Sequence, residues 1–154
     1  MNPSDKLRKR LISSHQAVLD LVESIDGPTA MALRANEGWS GQDMLAHLAA
    51  SELGHCEVIR LLLSDEPTLI PDFDLDTFNN AEVAKRSQLS WEEILAEYRA
   101  NRMATLALLD TVPDSAWGKS GPHPGGFDTS VEGVFRVIAI HEKRHLKDLG
   151  GALK

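Results

Sequence analysis

The chain has 154 residues, 42% of them hydrophobic and 25% charged, which fits one domain (1–154) able to bury about 70% of the surface its unfolded form exposes. Its 16 Lys and Arg stand against 23 Asp and Glu for a formal charge of −7, and with the basic residues scattered along the chain this disfavours nucleic acid as a partner. The single Cys56 rules out an internal disulfide or a thiolate zinc ribbon, and the lack of a signal peptide or of an 18-residue apolar run points to a cytoplasmic protein, not a membrane one.

Four segments carry helical periodicity. The first has Asn2 as N-cap and Pro3 at the first helical position, then Leu7, Leu11, Val18, Leu21, Val22 and Ile25 on one side, ending at Gly27-Pro28. The second opens at Ser40, whose hydroxyl is placed to accept from the N–H of Asp43, and runs through Met44, Leu45, Leu48, Ile59, Leu62 and Leu63 to Pro67. Residues 64 to 89 form a long connection with a short helix expected around Thr77 to Arg86. The third helix begins with a capping box, Ser90 to Glu93, and runs to Pro113. The link from Pro113 to Asp128 holds Gly118, Gly121, Pro122, Pro124, Gly125 and Gly126 and is expected to lie as an irregular loop over one end. The fourth helix is expected to open with a box from Thr129 to Glu132, to continue through Val134, Phe135, Ile138 and Leu146, and to end at Gly150-Gly151. Four amphipathic helices with one long crossover between the second and third predict an all-α, up-down-down-up four-helix bundle.

His141 and His145 are four residues apart in His141-Glu142-Lys143-Arg144-His145, one turn apart on the same side of the fourth helix, within its apolar half. His47 lies within the wide apolar half of the second helix. Three inward imidazoles on two helices can hold a divalent cation, as metal sites in bundles are built from facing helices, while a hydrogen-bonded core role is the plain alternative. Three neutral nitrogens suit Zn²⁺, Ni²⁺ or Fe²⁺ and leave positions open for water or a thiolate. His15 continues the inward stripe of the first helix from Leu11 and could reach the same cavity, with a core role as an equal alternative. His55, about 12 Å along the axis from His47, is too far to share its metal easily. His123 is expected to be exposed in the loop.

Glu142 completes an H-E-x-x-H pattern, yet no third ligand follows downstream and no substrate-binding sheet is readable, so a peptidase is not indicated. A carboxylate in the middle of an apolar helix face must be paired, protonated or working. Cys56 reads as a packed residue, and Trp39, Trp91 and Trp117 as packing residues that could alternatively line a pocket mouth.

The segments Gly38-Trp39-Ser40-Gly41-Gln42-Asp43-Met44-Leu45-Ala46-His47-Leu48-Ala49, followed by Glu52, and Val137-Ile138-Ala139-Ile140-His141-Glu142-Lys143-Arg144-His145-Leu146 resemble the DinB-like (DinB/YfiT) family of bacterial four-helix proteins. The resemblance implies His47, His141 and His145 as the metal triad, the same bundle topology and frequently a homodimer. It also implies chemistry of the kind its members perform: thiol-dependent transfer or isomerisation with low-molecular-weight thiols such as bacillithiol or mycothiol, or hydrolase-like self-resistance. The expectation is a metal-dependent enzyme, holding Zn²⁺ or Ni²⁺, that activates a thiol or water against a small electrophilic substrate, with Glu142 or Glu52 as proton acceptor or supporting partner of a ligand. The competing expectations are a non-catalytic binding protein that sequesters a small molecule, and a helical interaction protein whose histidines form a polar core.

Overall fold

The computed structural model describes residues 2–36 and 38–153. In chain order these form α1 (Pro3–Val22), α2 (Gly27–Ala32), β1 (Arg34–Asn36), β2 (Trp39–Ser40), α3 (Gly41–Leu63), α4 (Leu75–Lys85), α5 (Trp91–Thr111), β3 (Ser120–His123), β4 (Phe127–Ser130) and α6 (Val131–Ala152). The long helices α1, α3, α5 and α6 make the four-helix bundle; α1 packs against α6 and α5, and α3 packs against the same two. The crossover that carries α4 lets α3 and α5 run in the same direction, which is the up-down-down-up arrangement.

Helix starts follow their caps. Asn2 accepts from the N–H of Ser4, Ser40 and Asp43 exchange reciprocal bonds, and Ser90 and Glu93 do the same. Each satisfies donors that the first helical turn leaves without a partner. Three boundaries differ from expectation. Gly27-Pro28 opens a further short helix, α2, because the carboxylate of Asp26 caps the N–H of Thr29 at 2.8 Å. The cap of α6 is Ser130, which accepts from Gly133 at 3.1 Å, and not Thr129; Glu132 instead pairs with Arg136 one turn on. Gly150 and Gly151 lie inside α6, where burial of Leu149 and continued backbone bonding to Leu153 outweigh a propensity cost of about 1 kcal/mol per glycine.

The link after Pro113 is more ordered than expected. A 3₁₀ turn at Asp114–Ala116 leads into the β3–β4 hairpin, with Ser120 paired to Ser130 and His123 to Phe127. The three residues between the last pair end in Gly126 at φ +93°, the left-handed position that closes a hairpin of this loop length.

The interior consists of two apolar clusters with a polar layer between them. One cluster gathers Leu11, Ile59, Leu62, Leu109, Phe135 and Ile138; the other gathers Val18, Met44, Leu45, Ile94, Tyr98 and Leu149. Along all four long helices the change of cluster falls at a buried polar residue: Ser14, Glu52, Arg102 and Glu142.

Candidate metal centre

His47 projects from the second turn of α3, and His141 and His145 from successive turns of α6. Nε2 of His141 lies 3.1 Å from Nε2 of His47 and 2.9 Å from Nε2 of His145. All three rings meet edge to face, with centroids 4.4 to 5.0 Å apart. A neutral imidazole nitrogen carries either one proton or one lone pair. Three nitrogens aimed at one point therefore cannot all be satisfied by sharing protons in a triangle, whereas a cation accepts all three lone pairs. The spacing fits as well. Nitrogens about 2.1 Å from one ion stand about 3.0 Å apart at a right angle and about 3.4 Å apart at the tetrahedral angle.

The opposite sides of the rings are held in place. Asp148 Oδ2 lies 3.2 Å from Nδ1 of His145, and Ser51 Oγ lies 3.2 Å from Nδ1 of His141. With Nδ1–H donating to these oxygens, Nε2 is left as the lone-pair nitrogen. His47 and His145 are buried and His141 is half-buried. Burial, reinforced by the neighbouring imidazoles, lowers the pKa of His47 to about 3 and that of His141 to about 2. Both rings are neutral at physiological pH, the form a metal requires.

Glu52 and Glu142 occupy the polar layer. The Arg102 guanidinium bonds Glu52 at 2.6 and 3.2 Å and Glu142 at 2.7 Å, and donates to the carbonyl of Leu11. Thr105 donates to Glu52 at 2.7 Å, while Ser14 at 2.6 Å and the Tyr98 hydroxyl donate to Glu142. Burial alone would raise the pKa of Glu142, but His15, Arg102, Ser14 and Tyr98 together hold it below the usual carboxylate value. His15 belongs to this layer: its ring packs on Tyr98 and its Nδ1 is 3.6 Å from Glu142. Cys56 is buried beside Thr105, and burial raises its thiol pKa, as suits a packed residue.

A pocket of about 470 Å³ opens on the triad, lined also by Trp39, His55, His123 and Arg144. Of the three tryptophans, Trp39 stands 4.8 Å from the His47 ring, while Trp91 and Trp117 are packed in the core. His55 lies outside the triad, its Nδ1 2.8 Å from the carbonyl of Ser51 and its ring 6.0 Å from that of His141. His123 is buried, contrary to the expectation of exposure, because the hairpin folds it inward. Its ring stacks on Phe127 at 4.4 Å and lies 5.1 Å from His55.

Sequence reasoning passed over Ser51, Arg102 and Asp148. Their signals were positional: Ser51 is one turn from both His47 and His55, Asp148 is one turn beyond His145, and Arg102 is a lone cation on the apolar stripe between Tyr98 and Leu109.

A four-helix bundle that gathers three imidazoles from two helices at a side pocket is the class defined by these features. The chain belongs to the DinB superfamily, which residues 10–149 match. No curated protein matches it by sequence. Among solved structures it is similar to a mycothiol-dependent maleylpyruvate isomerase, at 17% identity and a TM-score of 0.81. That alignment covers 94% of this chain but only 60% of the isomerase, so the chain spans less than two thirds of that protein's length. It is also similar to YfiT from Bacillus subtilis, reported as a probable metal-dependent hydrolase with an unusual four-helix bundle topology (19% identity, TM-score 0.78, 97% of this chain and 85% of that one). A third is the colibactin self-resistance protein ClbS, solved with double-stranded DNA (15% identity, TM-score 0.78, 98% of this chain and 95% of that one). At these identities the likeness is one of fold. Among the described residues no helix is long and apolar enough to cross a membrane.

Proposed function

We propose that this protein is a divalent-metal-dependent enzyme, of the thiol transferase or hydrolase type, that acts on a small electrophilic substrate. His47, His141 and His145 hold the ion, with Zn²⁺ and Ni²⁺ the best matches to three neutral imidazoles. The observation that carries this reading is the convergence of three Nε2 atoms whose lone pairs no arrangement of shared protons satisfies. When bound, the ion supplies Lewis acidity, making a thiol or water nucleophilic near neutral pH.

The protein's own residues do the rest. Ser51 and Asp148 fix the ring orientations, and Trp39 and His123 wall the pocket. Glu142 and Glu52 were expected to accept a proton or support a ligand, and their pairing with Arg102 favours support: they anchor α6 and α3 at the level of the site and keep His141 in register with His47. The partner is proposed to be a small molecule, with a low-molecular-weight thiol as co-substrate. The formal charge of −7 argues against carrying over the DNA seen with ClbS. A cytoplasmic setting and a homodimer complete the proposal, the latter testable by sedimentation.

The deciding measurement is elemental analysis of protein purified without a His tag, combined with thermal melts. We expect close to one equivalent of metal per chain, a rise in Tm on adding Zn²⁺ or Ni²⁺, and loss of both effects in His47→Ala, His141→Ala and His145→Ala. Metal-free protein whose melting ignores both ions refutes the reading.

A further inference from the structure

A second cavity adjoins the metal pocket, and nothing in the proposed chemistry uses it. Its volume is about 250 Å³, and its apolar wall is formed by Val58 and Leu61 of α3, Ile70 and Phe73 of the crossover, and Leu75 and Phe78 of α4. It shares Ser51, His55, Leu75 and His123 with the pocket that holds the triad, so the two spaces are neighbours across common walls.

We propose that this cavity receives the apolar body of the substrate, and that the site therefore takes an amphiphilic molecule with a polar reactive head at the imidazoles and a hydrocarbon or aromatic body between α3 and the crossover. The proposal rests on the metal-dependent reading above and names the substrate class for that site. Three observations support it.

The cavity lining keeps apolar side chains in water. Ile70 is 69% exposed, and Leu75 and Phe78 are each 36% exposed, although all three border one concave surface. A ligand body would withdraw them from solvent, which is the driving force for apolar binding. Two polar groups at the cavity are already engaged, His55 with the carbonyl of Ser51 and Thr68 with the carbonyl of Pro122, while Nε2 of His123, on the wall shared with the metal pocket, is buried with no hydrogen-bond partner among the described residues and is left for the polar end of the ligand. A hydrocarbon placed there strands neither of these groups. Glu57 at the edge disfavours an anionic group at this end and sends the polar head towards the triad.

Gly54 gives the third observation. It sits in the middle of α3 on the cavity wall, and a Cβ added there would meet nothing within 4 Å. Glycine inside a helix costs stability relative to alanine, and no packed neighbour here requires it. The open space beside it leaves room for a ligand against the helix backbone. A cavity of about 150 Å³ accommodates benzene, so the larger volume here suits a ring bearing a short alkyl arm, or a medium-length chain.

The test uses Zn²⁺-loaded protein, its metal content verified by elemental analysis, titrated calorimetrically with straight-chain hydroxamates from acetohydroxamate to octanohydroxamate. The hydroxamate head chelates divalent ions while the tail varies. Affinity is expected to rise about fourfold per added methylene until the cavity is filled, then level off. Gly54→Phe, which fills the cavity, is expected to flatten that rise and weaken octanohydroxamate at least tenfold relative to Gly54→Ala. Ile70→Asp, at a more exposed wall position, is expected to act in the same direction. Metal-loaded protein that binds every chain length equally, or binds none, overturns this proposal and leaves the metal site standing. Protein that takes up no metal overturns both, and elemental analysis distinguishes that case.

Discussion

The three imidazoles are only as useful as the groups that hold them. Ser51 and Asp148 touch the Nδ1 side of His141 and His145 at 3.2 Å each. Removing such a partner frees the ring to rotate and change tautomer without disturbing the fold. Ser51→Ala and Asp148→Ala are therefore expected to weaken Zn²⁺ binding about 10- to 100-fold, read by competition with a chromophoric chelator, with Tm of the metal-free protein nearly unchanged. Arg102 makes the contrasting case. It is 2% exposed and shared by two buried carboxylates. Arg102→Met leaves both acids without their cation and is expected to cost about 3–5 kcal/mol, whereas replacing Glu52 and Glu142 by Gln in the same variant recovers much of that loss. Denaturant unfolding checks this. A double replacement of the acids by Gln that does not relieve Arg102→Met would show that the guanidinium acts through packing instead.

At the scale of elements, what was legible in the sequence was whatever rests on local chemistry. Asn2, Ser40 and Ser90 announced three helix starts because an N-cap needs only a short polar side chain next to a periodic run. His141 and His145 were legible as a pair because spacing on one helix is a local property, and His47 because its helix is apolar around it. The start of α6 was displaced by one residue, since Thr129 and Ser130 offer the same hydroxyl and only the pairing of Ser130 with Ser120 at the end of the hairpin decides between them. Ser130→Ala is accordingly expected to cost about 1 kcal/mol, or about 2–4 °C in Tm, and Thr129→Ala clearly less. The burial of His123 was not legible. It depends on a hairpin folding across the chain to bring that ring against His55 from α3, and the Gly and Pro residues that permit the turn read locally as irregular loop. The partnership of Arg102 with two distant acids was hidden for the same reason: it exists only once α3, α5 and α6 are packed.

For the whole molecule, the site couples stability to pH. Neutral imidazoles are packed together at the triad and beside it, where burial and the adjacent His123 also lower the pKa of His55 to about 4. In the unfolded chain each of these histidines titrates near about 6.5. Between that value and the depressed folded values the unfolded state binds protons that the native state refuses. Stability of the metal-free protein is therefore level above about pH 7 and falls as pH drops through 6.5 towards about 4 and below, each such imidazole contributing on the order of 1 kcal/mol by about pH 5.5. Glu142 adds a second, lower window. Its folded pKa is depressed, so its contribution is present above its ordinary value of 4.5 and is lost as pH falls beneath it. Melting curves in chelator from pH 8 to pH 5 are expected to show this decline, and replacing His47 and His141 together by Gln is expected to flatten it. Because the folded His47 and His141 rings stay neutral to about pH 3 and about pH 2, protons do not compete with Zn²⁺ above pH 5, and the holoprotein should keep a higher Tm while declining in parallel with the metal-free form over the same range. Curves that converge by pH 5 would mean that the ion is held by groups titrating in this range and not by these imidazoles.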